Sequence, residues 1–530
     1  MTVDVQQGRP PAAPDVASPP PLTLADELYR VAPGWELARL CQWPPDAFAF
    51  TASVLADSGA YRCVVSPPPG RAWPPTTEGS DWEQALRTDG AAWAGGDEPP
   101  RLRRLRASLA TALETPLVAL DEAEHWETLS DLLHLHALAD EACAGAGISR
   151  ETPFHARAAD QLAQSGSIAR LPVDRVRILP KLRPPASGIT LRSLSHHVAL
   201  DRSEVSARWV SPPADVRRPA ERLTMLLIPH PAVVRASDFL PVPGPLANMD
   251  EKRYGFYEYL PQEPLDQDKA VALVERAQRL VGEVDAVLLP EGALDESEVN
   301  ELQGRLVAAG VPYLVAGVRR RAVHPHGFGD NYAHFGADHW QAPPQHKHHR
   351  WCLDESQVHQ YHLGAALDPR RHWWEAIDIP RRRLTFVAVS ERLTVCPLVC
   401  EDLARPDPVT DIVRSVAPTL VVALLLDGPQ LAARWPARYA SVLADDPGCS
   451  VLSLTALGMT QRSQPPGHAP SRVIALWKDP HRGLQQIALA DDARAVALTA
   501  HAHTVRIPSA DGRSGKETTE LVLSGIEQID

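Results

Sequence analysis

At 530 residues the chain is longer than one ordinary domain, and its 44% hydrophobic and 22% charged residues are those of a globular protein with a sizeable core. A net charge of −13 excludes a non-specific nucleic-acid binder, which needs a basic balance, and no apolar run reaches the ~18 residues of a spanning helix. The N-terminus lacks the apolar stretch of a signal peptide, and the seven scattered cysteines fit reduced thiols, so a cytoplasmic protein is expected.

The 51 prolines, about twice the usual ~5%, predict many loops and helix stops. Residues 1–22 are Pro-rich and read as a disordered tail. Residues 23–215 are expected to form a mostly helical N-terminal domain. Leu102, Leu105, Leu109 and Leu113 share one face of a helix over Arg101–Glu114, and Trp126, Leu129, Leu132, Leu133 and Leu135 mark a second over His125–Ala144. Ser66–Gly95 reads as a long loop. Arg101, Arg103, Arg104 and Arg106 read as a solvated helix face, and His134, His136 and Asp140 as a solvated or hydrogen-bonded one.

A domain boundary is placed near 215. From 216 to 510, short buried strands alternate with amphipathic helices: Thr224–Ile228, a helix over Leu265–Val281, Ala286–Leu289, an Asp295/Glu298 N-cap pair, then Val311–Val318, Thr419–Leu425 and Ser450–Leu454. Residues 511–530 read as a C-terminal tail. A chain starting near Pro213 is expected to fold alone.

Three segments of the α/β region carry chemistry. Glu291 follows the buried Leu288-Leu289 at the C-terminal end of a strand, where ligands of α/β sheets gather. Lys347 lies among bulky neighbours in Gln345-His346-Lys347-His348-His349-Arg350-Trp351. Cys400 ends a strand before a turn in Val399-Cys400-Glu401-Asp402-Leu403. A thiolate attacks a carbonyl or nitrile carbon, a carboxylate takes and returns the proton, and an ammonium holds the oxyanion. Taken singly, each residue also has a plain structural reading: a core cysteine, a helix N-terminal charge, a surface lysine.

In order and context these segments resemble the nitrilase, or carbon–nitrogen hydrolase, superfamily. Pro290-Glu291, Lys347-His348-His349 and Cys400-Glu401-Asp402 match its motifs, with Cys-Glu-Asp-Leu similar to the glutaminase and amidase branches, over about residues 220–505. The resemblance implies an α-β-β-α sandwich that dimerises, with Cys400 as nucleophile, Glu291 as general base and acid, and Lys347 on the oxyanion. The backbone N–H of Glu401 would join the oxyanion pocket. A second glutamate beside the lysine is expected at Glu375, with Glu355 as rival, while no early glutamine of the family type stands out.

The implied activity is hydrolysis of a small amide, ureido or nitrile substrate through a thioester or thioimidate, with no metal or organic cofactor. Two alternatives stay open. One is an acyltransferase, in which an amine replaces water. Another is a catalytically silent binding or scaffold protein, whose helical extension would hold a protein partner. The chain is also similar to nitrilase-like domains beside or fused to bacterial reverse transcriptases in phage defence, although it has no Tyr-x-Asp-Asp motif and Asp445-Asp446 reads as a helix end. The histidines between His324 and His372 are expected to line the pocket and pack loops, not to bind metal.

Overall fold

The computed structural model describes residues 21–74, 81–185, 188–216, 221–242, 249–322, 327–390, 392–463 and 469–530. The expected disordered tail lies outside them apart from its last two residues.

The architecture is mixed α/β, built on two large sheets. In the first, the order is Trp340–Gln341, Asp330–Ala337, Tyr313–Arg320, Ala286–Asp295, Arg222–Leu227, Ala495–Ile507 and Lys516–Ile529, with Gln345–His346 also pairing Asp330–Ala337. The second runs Gln485–Ala488, Val473–Lys478, Ser450–Thr455, Leu420–Leu425, Thr394–Val399, Arg383–Ala388 and Ser206–Val210. A smaller sheet joins Cys352–Leu353, His372–Glu375, Tyr254–Tyr259 and Phe239–Pro241.

Side-chain alternation along the first sheet explains its layering. Leu226, Val287, Leu289, Leu314 and Ala316 pack on Val274, Ala277, Leu302 and Leu306 of the helices Gln267–Val281 and Glu296–Ala308. Met225, Leu227, Leu288 and Val315 point the other way and share a core with Leu398, Val421 and Leu452 of the second sheet. Strands buried on both faces read as unbroken apolar runs, which is how they stand in the sequence. Asp295 caps Glu296–Ala308 through a capping box with Glu298.

N-terminal to residue 215, helices cover Leu24–Val31, Pro44–Ser58, Trp82–Gly95, Pro100–Thr111, Trp126–Ala142 and Pro153–Ser165. Trp82–Gly95 corrects the expected loop: Trp82, Leu86, Gly90 and Trp93 bury one face, and Gly90 is where a Cβ would strike the backbone of Ala142 at 2.9 Å. The arginines of Pro100–Thr111 are ion-paired on the surface, Arg101 with Asp89, Arg103 and Arg106 with Glu98, and Arg104 with Asp131. Among the described residues no helix is long and apolar enough to cross a membrane.

The chain does not divide its core at 215. Ser206–Val210 pairs in parallel with Arg383–Ala388 of the second sheet, and one apolar cluster runs from Leu24 through Leu138 and Leu398 to Leu523. Residues 516–529 are not a tail but a strand paired along Ala495–Ile507, with Ile529 fully buried. Just before it, Arg513 is fully buried and donates to Asp140 at 2.9 Å, Glu141 at 2.7 Å and Asp511. His134, His136 and Asp140 are therefore buried, not solvated. Asp140 accepts the backbone N–H groups of His196, His197 and Val198, and His136 Nδ1 meets Thr51 Oγ1 at 3.1 Å.

Leaving the carboxylates around Arg513 uncompensated should cost roughly 3–5 kcal/mol, so Arg513→Ala should lower the urea midpoint sharply. A chain starting at residue 213 loses the edge strand and these partners. We expect no cooperative melt from it by circular dichroism; a cooperative melt would show that the α/β part folds alone.

Candidate active site

Glu291, Lys347 and Glu375 meet in the interior, and all three are buried. Lys347 Nζ donates to Glu291 Oε1 at 2.8 Å and to Glu375 Oε2 at 2.6 Å. Asn331 Nδ2 bridges the same carboxylates at 2.7 and 2.8 Å, and the backbone N–H groups of Leu426 and Trp351 bind Glu291 Oε2 and Glu375 Oε2.

Each side chain is placed by its element. Glu291 lies within Ala286–Asp295, where the register with Tyr313–Arg320 shifts between Leu289 and Leu294. Gly292 adopts φ +63, and a Cβ on the facing Gly317 would fall 2.3 Å from Glu291 Cα, so glycine is required where the two backbones approach. Glu375 ends His372–Glu375. Cys400 stands where Thr394–Val399 breaks into the 3₁₀ turn Cys400–Ala404, with φ +49, a left-handed conformation that costs energy outside glycine.

Asp402 ties the lysine segment to the cysteine turn: it accepts the backbone N–H of His348 at 2.9 Å and meets His349 Nδ1 at 2.8 Å. His348 and His349 lie in a bend.

Burial pushes the Glu291 carboxyl up from its ordinary value, against the opposing pull of Lys347. Burial works against a charged Lys347, yet Glu291 and Glu375 hold the ammonium well above the usual lysine range. Burial raises the Cys400 thiol well above its ordinary range, Glu291 adds to the rise, and Lys347 opposes it. Burial thus disfavours the charged form of both the Cys400 thiol and the Glu291 carboxyl.

Cys400 opens on a cavity of ≈ 400 Å³, walled by Trp351, Tyr361, Asp427, Arg434 and Tyr439. Asp427 Oδ1 accepts from Tyr361 Oη at 2.5 Å and Arg434 Nη2 at 2.6 Å. Glu401 also lines this cavity and pairs with Arg405 at 2.5 Å.

Of the two candidate second glutamates, Glu375 reaches Lys347, while Glu355 is exposed at the start of Glu355–Gln360. His324 and His326 lie outside the described residues. Among the described residues, the clusters with metal-ligating geometry include no histidine between 327 and 372. Asn331 and Asp427 escaped sequence reading, and Asp402 stood in it only as part of the Cys400 motif. Asp402 had a signal in its place beside Cys400, whereas the role of Asn331 depends on a register no local pattern encodes.

No family model matches the chain, and no curated protein does. Among solved structures, the fold is similar to nitrilase-superfamily members. Saccharomyces cerevisiae Nit3 is 11% identical, over 59% of this chain and 93% of that one, with a TM-score of 0.34. A carbon–nitrogen hydrolase from Helicobacter pylori G27 is 10% identical over 52% and 89%, with a TM-score of 0.32. A glutamine-dependent NAD+ synthetase from Acinetobacter baumannii is 11% identical over 58% and 49%, with a TM-score of 0.31. At this distance the chemistry is argued from the side chains alone.

Glu375→Ala should cost roughly 3–5 kcal/mol by leaving a buried charge cluster short of a partner, whereas Glu355→Ala should stay within about 0.5 kcal/mol. Urea unfolding of the two variants checks the contrast.

Proposed function

We propose that the protein is a carbon–nitrogen hydrolase of the nitrilase type, its two main sheets forming the middle of an α-β-β-α sandwich, and that it acts on small amide, ureido or nitrile compounds. The observation that carries this reading is the buried Lys347 clamped between Glu291 and Glu375, in the same interior as a strained cysteine that opens on a cavity.

The chemistry follows from the charge states. Substrate enters the cavity and its carbonyl or nitrile carbon faces Cys400. Glu291 takes the thiol proton as sulfur attacks, so the thiolate forms only when there is an electrophile to receive it. Negative charge develops on the substrate oxygen or nitrogen, and Lys347, with the backbone N–H of Glu401, stabilises it. Glu375 keeps Lys347 charged after Glu291 is neutralised. For an amide, Glu291 then returns the proton to the leaving amine, and the acyl–sulfur bond remains. Water, deprotonated by Glu291, attacks that bond, releases the acid and restores the thiol. The chain's own groups supply every proton transfer. An amine in place of water gives the acyltransferase variant, which product analysis separates; a scaffold protein would turn over nothing.

Incubation with a mixed amide and nitrile library, read as ammonia release and by mass spectrometry of products, tests the reading. Cys400→Ala should abolish turnover. Lys347→Gln should lower kcat on the order of 10²–10³, the usual effect of deleting an oxyanion donor, with a smaller change in KM. Normal turnover by Lys347→Gln would remove Lys347 from the mechanism.

The acid limb of kcat/KM should reflect the Glu291 cluster. Because burial raises this carboxyl in the folded protein, the base is lost as pH falls through a value above the ordinary 4.5. A limb at or below 4.5 would contradict Glu291 as the base.

A further inference from the structure

A second cavity, ≈ 630 Å³ in volume, shares no lining residue with the one at Cys400. It is enclosed by the helix Trp82–Gly95, the end of Trp126–Ala142, the start of Pro153–Ser165 and the turn between the two long C-terminal strands. We propose that this cavity binds a small organic anion, a phosphate or carboxylate group carried on an apolar body.

The lining is basic in a protein of net charge −13: Arg87, Arg157, Arg506 and Lys516 against Glu141 and Glu517. Glu517 is matched by Arg506 at 3.5 Å, and Glu141 is held by the buried Arg513 at 2.7 Å. Arg87 pairs with Glu83 outside the lining, so two cations are left over. The Lys516 ammonium makes no hydrogen bond or ion pair with any described residue, and Arg157 has no carboxylate partner among them. Lys516 is half-buried; burial lowers its pKa while Asp140 and Glu141, both already engaged by Arg513, pull it back up.

Around it, His155 Nδ1, His196 Nε2 and His197 Nδ1 are buried without partners among the described residues. Ala91, Ala94 and Phe154 supply the apolar wall. The volume falls in the range of small-molecule sites, about 300–1,000 Å³.

Asp140, Glu141, His196 and His197 have ligand atoms within 4.8 Å of one another, which also suits a metal. A cation is disfavoured because Arg513 already occupies both carboxylates and Lys516 adds a further positive charge. The anion completes this charge pattern, and the cation opposes it.

Calorimetry and thermal shift on the full-length protein test the site with phenyl phosphate, benzoate, inorganic phosphate, neutral benzyl alcohol and zinc. Saturable binding of phenyl phosphate or benzoate, with none of benzyl alcohol, is expected. The stronger of the two identifies the headgroup, and a match by inorganic phosphate alone would overturn the apolar part. Lys516→Gln should weaken binding at least about tenfold through loss of a charge-assisted contact, while Cys400→Ala should bind like the parent. Arg157→Gln, on the exposed rim, should weaken it about threefold and serves if Lys516→Gln does not fold. No anion binding, or affinity unchanged in the variants, overturns the proposal, as does zinc binding that His196→Ala abolishes.

Discussion

The interior of this protein is organised around one ammonium. Lys347 has no access to water, and its charge is tolerable only because Glu291 and Glu375 lie within hydrogen-bonding distance and Asn331 bridges them. An isolated buried ion would cost several kcal/mol, so the three elements that carry these side chains cannot separate without exposing that penalty. The glycines at 292 and 317, the left-handed turn at Cys400 and the tether from Asp402 to the lysine segment stand around this cluster. The same arrangement that is expensive to bury keeps a proton acceptor and a positive charge beside a neutral thiol.

The parts of this arrangement that a sequence displays are those with local signatures. Apolar runs such as Leu420–Leu425 mark strands buried on both faces, and Glu291 and Cys400 stand directly after such runs. Glu375 could be proposed only through the resemblance, which implies a second glutamate after the lysine, and the sequence offered Glu355 beside it. Asn331 could not, since its value lies in a register between strands far apart in the chain. Trp82–Gly95 was hidden because its buried face has only one leucine and one glycine between two tryptophans, so composition resembled a loop.

The N-terminal region shows a different kind of failure. Its boundary with the α/β part looked like a change of texture, yet the physical contacts ignore it. Ser206–Val210 is a half-exposed edge strand followed by Pro212 and Pro213, and Arg513 is a charged residue in a segment with little apolar content. Neither announces that it joins distant parts of the chain. The helices, the second sheet and the C-terminal strand share one apolar cluster, and the basic cavity lies where the N-terminal helices meet the turn between the two long C-terminal strands.

The central claim is that Cys400 is a nucleophile served by Glu291 and Lys347, and a covalent intermediate is its most direct expression. Intact-protein and peptide mass spectrometry after exposure to the amide and nitrile library should find an acyl or imidoyl adduct on Cys400 and none on Cys41, Cys63, Cys143, Cys352, Cys396 or Cys449. No adduct with any compound, or an adduct on another cysteine while Cys400 stays free, would contradict the account.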